Sequence, residues 1–499
     1  MTLERIGLID LGSHSARLLV VEADGRRWRV VDEERAILRL GDALAQEGRL
    51  VGELERAQSV YRLLCRRSRQ LGAARPETVG TAALRAARDG AAFAARLARA
   101  AGVPITVLDG EEEARLGFLG AVASLDVEAG YLVDLGGAST EISRFADRRL
   151  EQAGSVDLGA VTLHQRLLQG DPPAAEQVEA AKNHVRERIR EILPEPQRGM
   201  PLVALGGSFR SIAKLHQEAE RYPFPSLHGY LMPTSAVAQL WRRVHGLALR
   251  DRLKVPGLAV HRAELAPSAL LIAAAIVEHL APSGIVISGT GLREGLLYRR
   301  LGVEVPPPAR ELLPESAENL LFQLGEVPEP MQVEVGDRLT EALAPLLRDA
   351  PRGFARSVVR LRGIGRRINF YERNHRTFDI VVGARMFGLS HREQVLLAAA
   401  AAYDGPRRTR ELLRPYLDLL ERGDTVLVQR VGLAAAYAEA LVRSAPGVRW
   451  ELAAEIGPAL ITLGLAGGDP PPSLPFGESE RLAAQFPKVF GRKLTVRYS

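Results

Sequence analysis

The sequence predicts an α/β protein in which two similar lobes face one another across a cleft, followed by a mostly helical domain. Three observations carry that prediction. Two apolar strands each deliver one aspartate, Asp10 and Asp134, into a tight turn of small residues, Gly12-Ser13 in the first and Gly136-Gly137-Ala138-Ser139 in the second. The strand and helix pattern that follows the first turn begins again after the second, as in a duplicated α/β unit. Beyond Pro306-Pro307-Pro308 the alternation gives way to helical periodicity.

In the first lobe, Ile6–Asp10, Arg17–Glu22 and Trp28–Glu34 read as strands, with Asp24-Gly25 turning a hairpin between the last two. A helix is expected over about Glu53–Leu71, a short strand over Thr78–Thr81, and a helix over Arg85–Ala101 stopped by Gly102. Ile105–Leu108 is a strand leading into a helix that begins at Glu111. In the second lobe, strands are expected at 131–134, 140–145 and 149–156, with helices near 158–169 and 174–192. Strand Leu202–Leu205 ends in Gly206-Gly207-Ser208, a third loop of the phosphate-binding type. Helices near 209–219, 234–247 and 266–280 precede a strand at Ile285–Ser288 and a glycine-rich turn, 289–295, entering another helix. That turn misses the dinucleotide-binding glycine spacing by one position. The stretch from Pro306 to about Pro330 reads as a linker. Helices are then expected over Asp337–Leu347, Gly353–Arg366, His391–Ala402, Arg407–Glu421 and Val426–Ser444, with strand-like runs at 459–464 and 493–498.

A chain of 499 residues allows about three domains, and a 46% apolar fraction suffices for sizeable cores. Glu4-Arg5 run straight into a strand, so no signal peptide is expected and the expected location is cytoplasmic. The longest apolar run, around Ala269–Val277, falls short of the roughly 20 residues that span a bilayer, and no membrane association is expected. The single cysteine, Cys65, excludes an intramolecular disulfide. A net charge of +6 favours acidic partners. Only 5 of the 66 basic residues are lysines, a bias that reads as codon usage, so the charge alone decides nothing.

The turns carry the chemistry. Small residues let backbone N–H groups approach an anion, and serine hydroxyls add donors. A carboxylate beside such a loop repels a phosphate unless a divalent cation lies between them. Asp10 and Asp134, with Glu141 as a further candidate, are therefore the expected metal carboxylates. Glu111-Glu112-Glu113 opens a helix between the two turns, where the helix dipole favours acidic residues with or without a function. Periodicity does not choose among the three.

The motifs IDLGSHSARLLV at 9–20, GTAALRAA at 80–87, DGEEEARLGFLG at 109–120, VDLGGASTEIS at 133–143, LGGSFRSIA at 205–213 and GLREGLLY at 291–298 resemble a known family. The paired Asp turns are similar to those of the actin, Hsp70 and sugar-kinase superfamily. Within it the chain resembles the exopolyphosphatase and guanosine pentaphosphate phosphatase family (Ppx/GppA). The resemblance implies two RNase H-like (actin-like ATPase) lobes, at 1–125 and 126–303, and a linker with a helical HD-like domain at 304–499. It implies Mg2+- or Mn2+-dependent hydrolysis of terminal phosphoanhydride bonds in inorganic polyphosphate, or of the 5′-phosphate of guanosine pentaphosphate. It allows a homodimer and implies no specific nucleic-acid partner.

By the family motif Glu113 is the water-activating glutamate, and Thr81 and Arg85 match a T-x-x-x-R on the cleft wall, with Arg85 clamping phosphoryl oxygens. Gly12, Ser13, His14, Ser15, Arg17, Gly136, Gly137, Ser139, Gly207, Ser208 and Arg210 are implied to line the phosphate path. Three positions depart from the pattern: His14 replaces an asparagine, Ala138 a glycine and Gly289 an aspartate. Where an HD domain carries its His-Asp metal pair, the chain has Leu361-Arg362-Gly363-Ile364-Gly365, which cannot ligate a cation. Isolated His375 and His391 are expected to be ordinary packing or surface residues. Arginines at 360, 362, 366, 367, 373, 376, 407, 408 and 410 offer either a basic face or a solvated helical surface. The alternatives to a phosphohydrolase are a superfamily kinase or ATPase, and a catalytically impaired sensor that binds polyphosphate or the alarmone.

Overall fold

The computed structural model describes residues 3–444, 451–466 and 477–498. The chain forms two compact units, Met1–Pro308 and Ala309–Ser499.

The first unit holds two sheets of the same design. Strands β1 (Glu4–Leu11), β2 (Ser15–Asp24), β3 (Arg27–Ile37), β4 (Glu77–Gly80) and β5 (Thr106–Val107) lie in the order β3-β2-β1-β4-β5. The first three pair antiparallel, while β4 and β5 add in parallel. Strands β6 (Gly130–Leu135), β7 (Thr140–Ala146), β8 (Arg149–Val156), β9 (Leu202–Leu205), β10 (Leu231–Met232) and β11 (Ile285–Ile287) repeat this as β8-β7-β6-β9-β11, with β10 appended. Parallel neighbours require helical crossovers, and these are α1 (Leu40–Glu47), α2 (Leu54–Gln70), α3 (Ala82–Ala86), α4 (Gly90–Ala101) and α5 (Gly110–Val122) in the first lobe. In the second they are α6 (Ala160–Leu167), α7 (Ala175–Ile192), α8 (Gly206–Ala219), α9 (Thr234–Val244), α10 (Leu249–Arg252), α11 (Ala266–Leu280) and α12 (Leu292–Arg300).

Each lobe has its own core. Ile9, Leu18, Val20, Tyr61 and Phe93 close the first, and Tyr131, Ile142, Phe209 and Ile272 the second. Helix α5 joins the lobes. It follows the last strand of the first sheet, yet its Phe118, Ala121 and Val122 pack on Leu132, Phe145 and Val203 of the second. It crosses α12 so closely that a Cβ on Gly120 would stand 2.0 Å from the Gly291 carbonyl oxygen. Its C-terminal end is capped by the buried Arg148 guanidinium, which donates to the carbonyls of Val122 and Leu125, as cations do at helix C-termini.

Several elements differ from the sequence expectation. The 85–101 helix is broken into α3 and α4 at Asp89, whose carboxylate is taken by the N–H groups of Leu50 and Val51. Helix α1 was not expected. The proline-rich stretch after 306 is not a loose linker: Ala309–Leu324 is helix α13, because Leu312, Leu313, Ala317, Leu320 and Leu321 recur at three- and four-residue spacing and are buried. The second unit continues with α14 (Pro330–Ala342), α15 (Phe354–Leu361), α16 (Arg373–Gly383), α17 (His391–Ala401), α18 (Pro406–Leu413), α19 (Asp424–Ser444), α20 (Gly477–Ala483) and α21 (Phe486–Phe490). A sheet of β12 (Glu451–Ile456), β13 (Leu460–Ala466) and β14 (Lys493–Tyr498) completes it. Helix α19, at 21 residues, is long and apolar enough to cross a bilayer, but 78% of its most apolar window is buried within the protein.

Arg362, in the 361–365 segment, is buried. It donates to Glu439 at 2.6 Å and to the Tyr403 carbonyl at 3.0 Å. Arg366 also pairs with Glu439, Arg360 with Asp337, Arg367 with Glu326, Arg373 with Glu478, Arg376 with Glu372, and Arg407 and Arg408 with Glu411. These last seven arginines are each ion-paired rather than forming an open basic face.

Candidate active site

The site begins with two turns of identical construction. In the first hairpin Asp10 stands opposite Arg17, and the Gly12 N–H donates to the Ser15 carbonyl at 3.1 Å. In the second, Asp134 stands opposite Glu141, and the Gly136 N–H donates to the Ser139 carbonyl at 3.0 Å. Carbonyl oxygens would repel an anion, and both turns engage theirs elsewhere. Ser13 O accepts from the Gly41 N–H at 2.7 Å, and Gly137 O from the Val161 N–H at 2.8 Å. The turns meet: a Cβ on Gly137 would lie 3.6 Å from Ser13 Cβ.

Two more loops complete the walls. Gly206 has φ +85°, and a Cβ there would fall 2.5 Å from Asp134 Oδ1, so only glycine lets β9 turn into α8 at this point. In the 289–291 loop the Gly289 N–H donates to His228 Nδ1 at 3.1 Å. Any side chain at 289 would begin 2.9 Å from His228 Cβ, which accounts for the absence of the family's aspartate.

Together these loops enclose a cavity of about 160 Å3. Asp10, Glu113, Asp134 and Glu141 line it, as do Gly12, Ser13, His14, Ser15, Arg17, Thr81, Gly136, Gly137, Ser139, Gly207, Ser208 and Arg210. Of the three consecutive glutamates, Glu113 alone does so. Glu112 is held outside by Arg115 and Arg299. Arg85 differs from expectation, because it does not line the cavity. It stands behind the carboxylates, donating to Glu113 Oε2 at 2.7 Å and to the Leu108 carbonyl at 3.0 Å, with Glu141 Oε1 at 3.9 Å. Ala138 also lies outside the lining, and its side chain is buried. Arg262, Arg293 and Glu294 line the cavity without having been singled out from the sequence. The GLREG motif contains the last two. Arg262 sits in an isolated 3-10 turn, Val260–Arg262, with no local pattern to mark it.

The cavity is lined by buried charges of both signs. Burial pushes all four carboxylates above their usual range. Glu141 is pushed up to about 7 by burial and by Asp134, and Glu113 well up by burial and then by Glu141. Arg210 and Arg262 are pushed down, Arg262 to about 10, by burial and by the neighbouring arginines. Buried like charges of this kind mark a place for counter-charges. His14, lowered to about 4 by burial and by Arg262, is neutral at pH 7, and its buried Nε2 has no partner.

Among the described residues no three His, Cys, Asp or Glu side chains converge into a complete cation site. Asp10, Asp134 and Glu141 therefore do not close as a three-carboxylate set, and Glu141 Oε1 is taken by the hydroxyls of Ser139 at 2.6 Å and Ser155 at 2.8 Å. Asp10 Oδ1 is buried with no partner, beside Asp134. Mg2+ is held by one or two carboxylates completed by water and substrate phosphate oxygens, and this donor set fits that habit.

Residues 19–304 match the model of the Ppx/GppA phosphatase family. The chain is 30% identical over 311 residues to exopolyphosphatase 1 of Mycobacterium tuberculosis, covering 60% of this chain and 89% of that protein. A Ppx/GppA family member from Aquifex aeolicus has a similar structure, with 26% identity and a TM-score of 0.53, over 61% of this chain and 99% of that one. An exopolyphosphatase structure from Cytophaga hutchinsonii shares the fold at 22% identity and a TM-score of 0.56, over 60% and 98% of the two chains. With residues 19–304, more than half its length, matched by the family model, the chain belongs to the Ppx/GppA phosphatase family.

Proposed function

We propose that the protein hydrolyses the terminal phosphoanhydride bond of inorganic polyphosphate. The observation that carries this reading is the joining, in one cavity, of two N–H-lined turns, a bank of arginines and a buried glutamate of raised proton affinity. The terminal phosphoryl group is cradled by the turns at 12–15 and 136–139. Arg17, Arg210 and Arg262, which pair directly with no carboxylate among the described residues, hold the phosphates behind it. Asp10 and Asp134 would hold Mg2+, which supplies charge neutralisation on the phosphoryl oxygens when bound. Glu113 orients a water molecule and takes its proton as the water oxygen bonds to phosphorus. The bridging P–O bond breaks, and the shortened chain leaves with the bridging oxygen. A proton affinity raised above the ordinary carboxylate range makes Glu113 a stronger base.

A second substrate is favoured by a separate feature. A chamber of about 640 Å3 adjoins the cavity at His14 and is lined by His164, Gln165, His261, Asp42 and Glu264. Imidazole, amide and carboxylate groups suit a nucleoside, and Arg39 and Arg252, which also line the chamber, suit its phosphates, so guanosine pentaphosphate, cleaved at its 5′ end, is the second reading.

The test is phosphate release from polyphosphate, guanosine pentaphosphate and ATP, with Mg2+ and with chelator, for wild type and Glu113→Gln. Release from the first or second substrate, reduced about 10²- to 10⁴-fold in the variant with binding retained, is expected. A wild type that binds these substrates but releases nothing would replace this reading with that of a sensor.

A further inference from the structure

The two glutamates at the acidic end of the cavity come from different lobes, Glu113 from α5 and Glu141 from β7. Their spacing must be fixed for either to act on the same phosphoryl group. Arg85 ties them from one side. Near the same Glu141 oxygen stands Ser155, in β8, which is not part of the cavity lining. Ser155 is the register partner of Glu141 and donates its hydroxyl to Glu141 Oε1 at 2.8 Å. Its Cβ lies 2.8 Å from the point where a side chain on Gly110 would begin. Gly110 is the first residue of α5, three positions before Glu113. One serine therefore touches both the carboxylate on the strand and the start of the helix that carries the other carboxylate. Ser139 donates to the same Oε1 at 2.6 Å, so that oxygen accepts two hydroxyl hydrogen bonds.

We infer that Ser155 is a positioning residue of the phosphohydrolase site: its hydroxyl fixes the orientation of Glu141, and its contact with Gly110 sets the distance from Glu141 to Glu113. The inference rests on the proposed reaction. It adds a residue that no sequence motif marks and that lies outside the cavity lining.

Four substitutions, one of them combined with another, and one crystal structure test it. Ser155→Ala should lower kcat for phosphate release about 10- to 100-fold, the scale of a misplaced catalytic group, while KM stays within about twofold. Ser155→Thr, which keeps the hydroxyl, should recover most of that loss. A purely structural role predicts instead that both variants lose stability and substrate affinity together. Gly110→Ala should lower kcat in the wild-type background but cost much less in Ser155→Gly, where no Cβ opposes the new methyl, a non-additivity expected of residues in contact. In the crystal structure of Ser155→Ala, the Glu141 carboxylate should be rotated from its wild-type orientation. An unchanged Glu141 in that structure, wild-type kcat in Ser155→Ala, or additive effects of the 110 and 155 substitutions would each overturn the inference. A wild type that releases no phosphate would instead defeat the functional reading, and the orientation of Glu141 would still decide the role of Ser155.

Discussion

The two hairpins superimpose in register but not in charge. Gly12-Ser13-His14-Ser15 and Gly136-Gly137-Ala138-Ser139 close with the same glycine-to-serine hydrogen bond, at 3.1 and 3.0 Å. Seven residues after its aspartate, each hairpin places a side chain directly across the strand pair: Arg17 in one lobe and Glu141 in the other. Duplication thus supplies a symmetric frame, and a single pair of equivalent positions makes it polar. Each hairpin keeps its own aspartate and small-residue turn, and in the proposed reaction Arg17 adds a positive charge for the anion where Glu141 adds a carboxylate. A symmetric pair of arginines would bind phosphate without activating water, and a symmetric pair of glutamates would repel it.

The comparison breaks most sharply if the two positions are probed separately. Glu141→Gln keeps the shape and one acceptor oxygen but removes the charge. It should lower kcat about 10²-fold, the scale of losing one electrostatic contribution to phosphoryl transfer, with little change in KM. Arg17→Met should do the reverse, raising KM for polyphosphate about 10-fold through a lost charge-assisted contact, with a smaller effect on kcat. Steady-state kinetics on the two variants decide the matter. If both change KM, or both change kcat, the two hairpins share one role and the division of labour proposed for them is wrong.

A smaller effect should appear in stability. Glu141 is raised from 4.5 to about 7 in the fold, so between those values the folded state binds more protons than the unfolded one, and stability falls as pH rises. The difference amounts to about 3 kcal/mol at most, at 1.36 kcal/mol per pH unit. With chelator present and no substrate, thermal unfolding of the wild type should therefore occur several degrees higher at pH 5.5 than at pH 8. Glu141→Gln should flatten the slope, and a slope unaltered in that variant would place the acid stabilisation elsewhere.

Much of this frame could be read from residues alone, for reasons that differ by element. The hairpins were legible because alternating apolar residues, an aspartate and small turn residues are local signals. Glu113 was not separable from Glu111 and Glu112 by periodicity; the family motif distinguished it, and the structure shows why, since Arg115 and Arg299 hold Glu112 outside the cavity. Arg85 was placed at the right end of the cleft but on the wrong side of the carboxylates, because a guanidinium's orientation depends on what stands behind it. Arg262 and Ser155 were invisible: each reaches the site through sheet register or a crossover, and the local sequence around them has no pattern. In the second unit, α13 was hidden by prolines, whose count suggested a linker although the leucines between them keep helical spacing.

The smallest prediction concerns the third residue of each turn, His14 and Ala138, where both hairpins depart from the family pattern. A methyl group at 138 would intrude on the anion if it faced the cavity. The fold instead turns it away: Ala138 is buried outside the cavity, while Gly136, Gly137 and Ser139 supply the lining. Restoring the family residue with Ala138→Gly should therefore leave kcat/KM for polyphosphate within about twofold, while costing about 0.5–1 kcal/mol of stability through added backbone freedom in the unfolded chain. His14 occupies the equivalent position but does line the cavity, with an unpartnered Nε2. His14→Ala should accordingly lower kcat/KM several-fold where Ala138→Gly does not. Equal sensitivity at the two positions would mean that the third residue of the second turn reaches the phosphate after all, and that the hairpins are more alike than their opposing charges suggest.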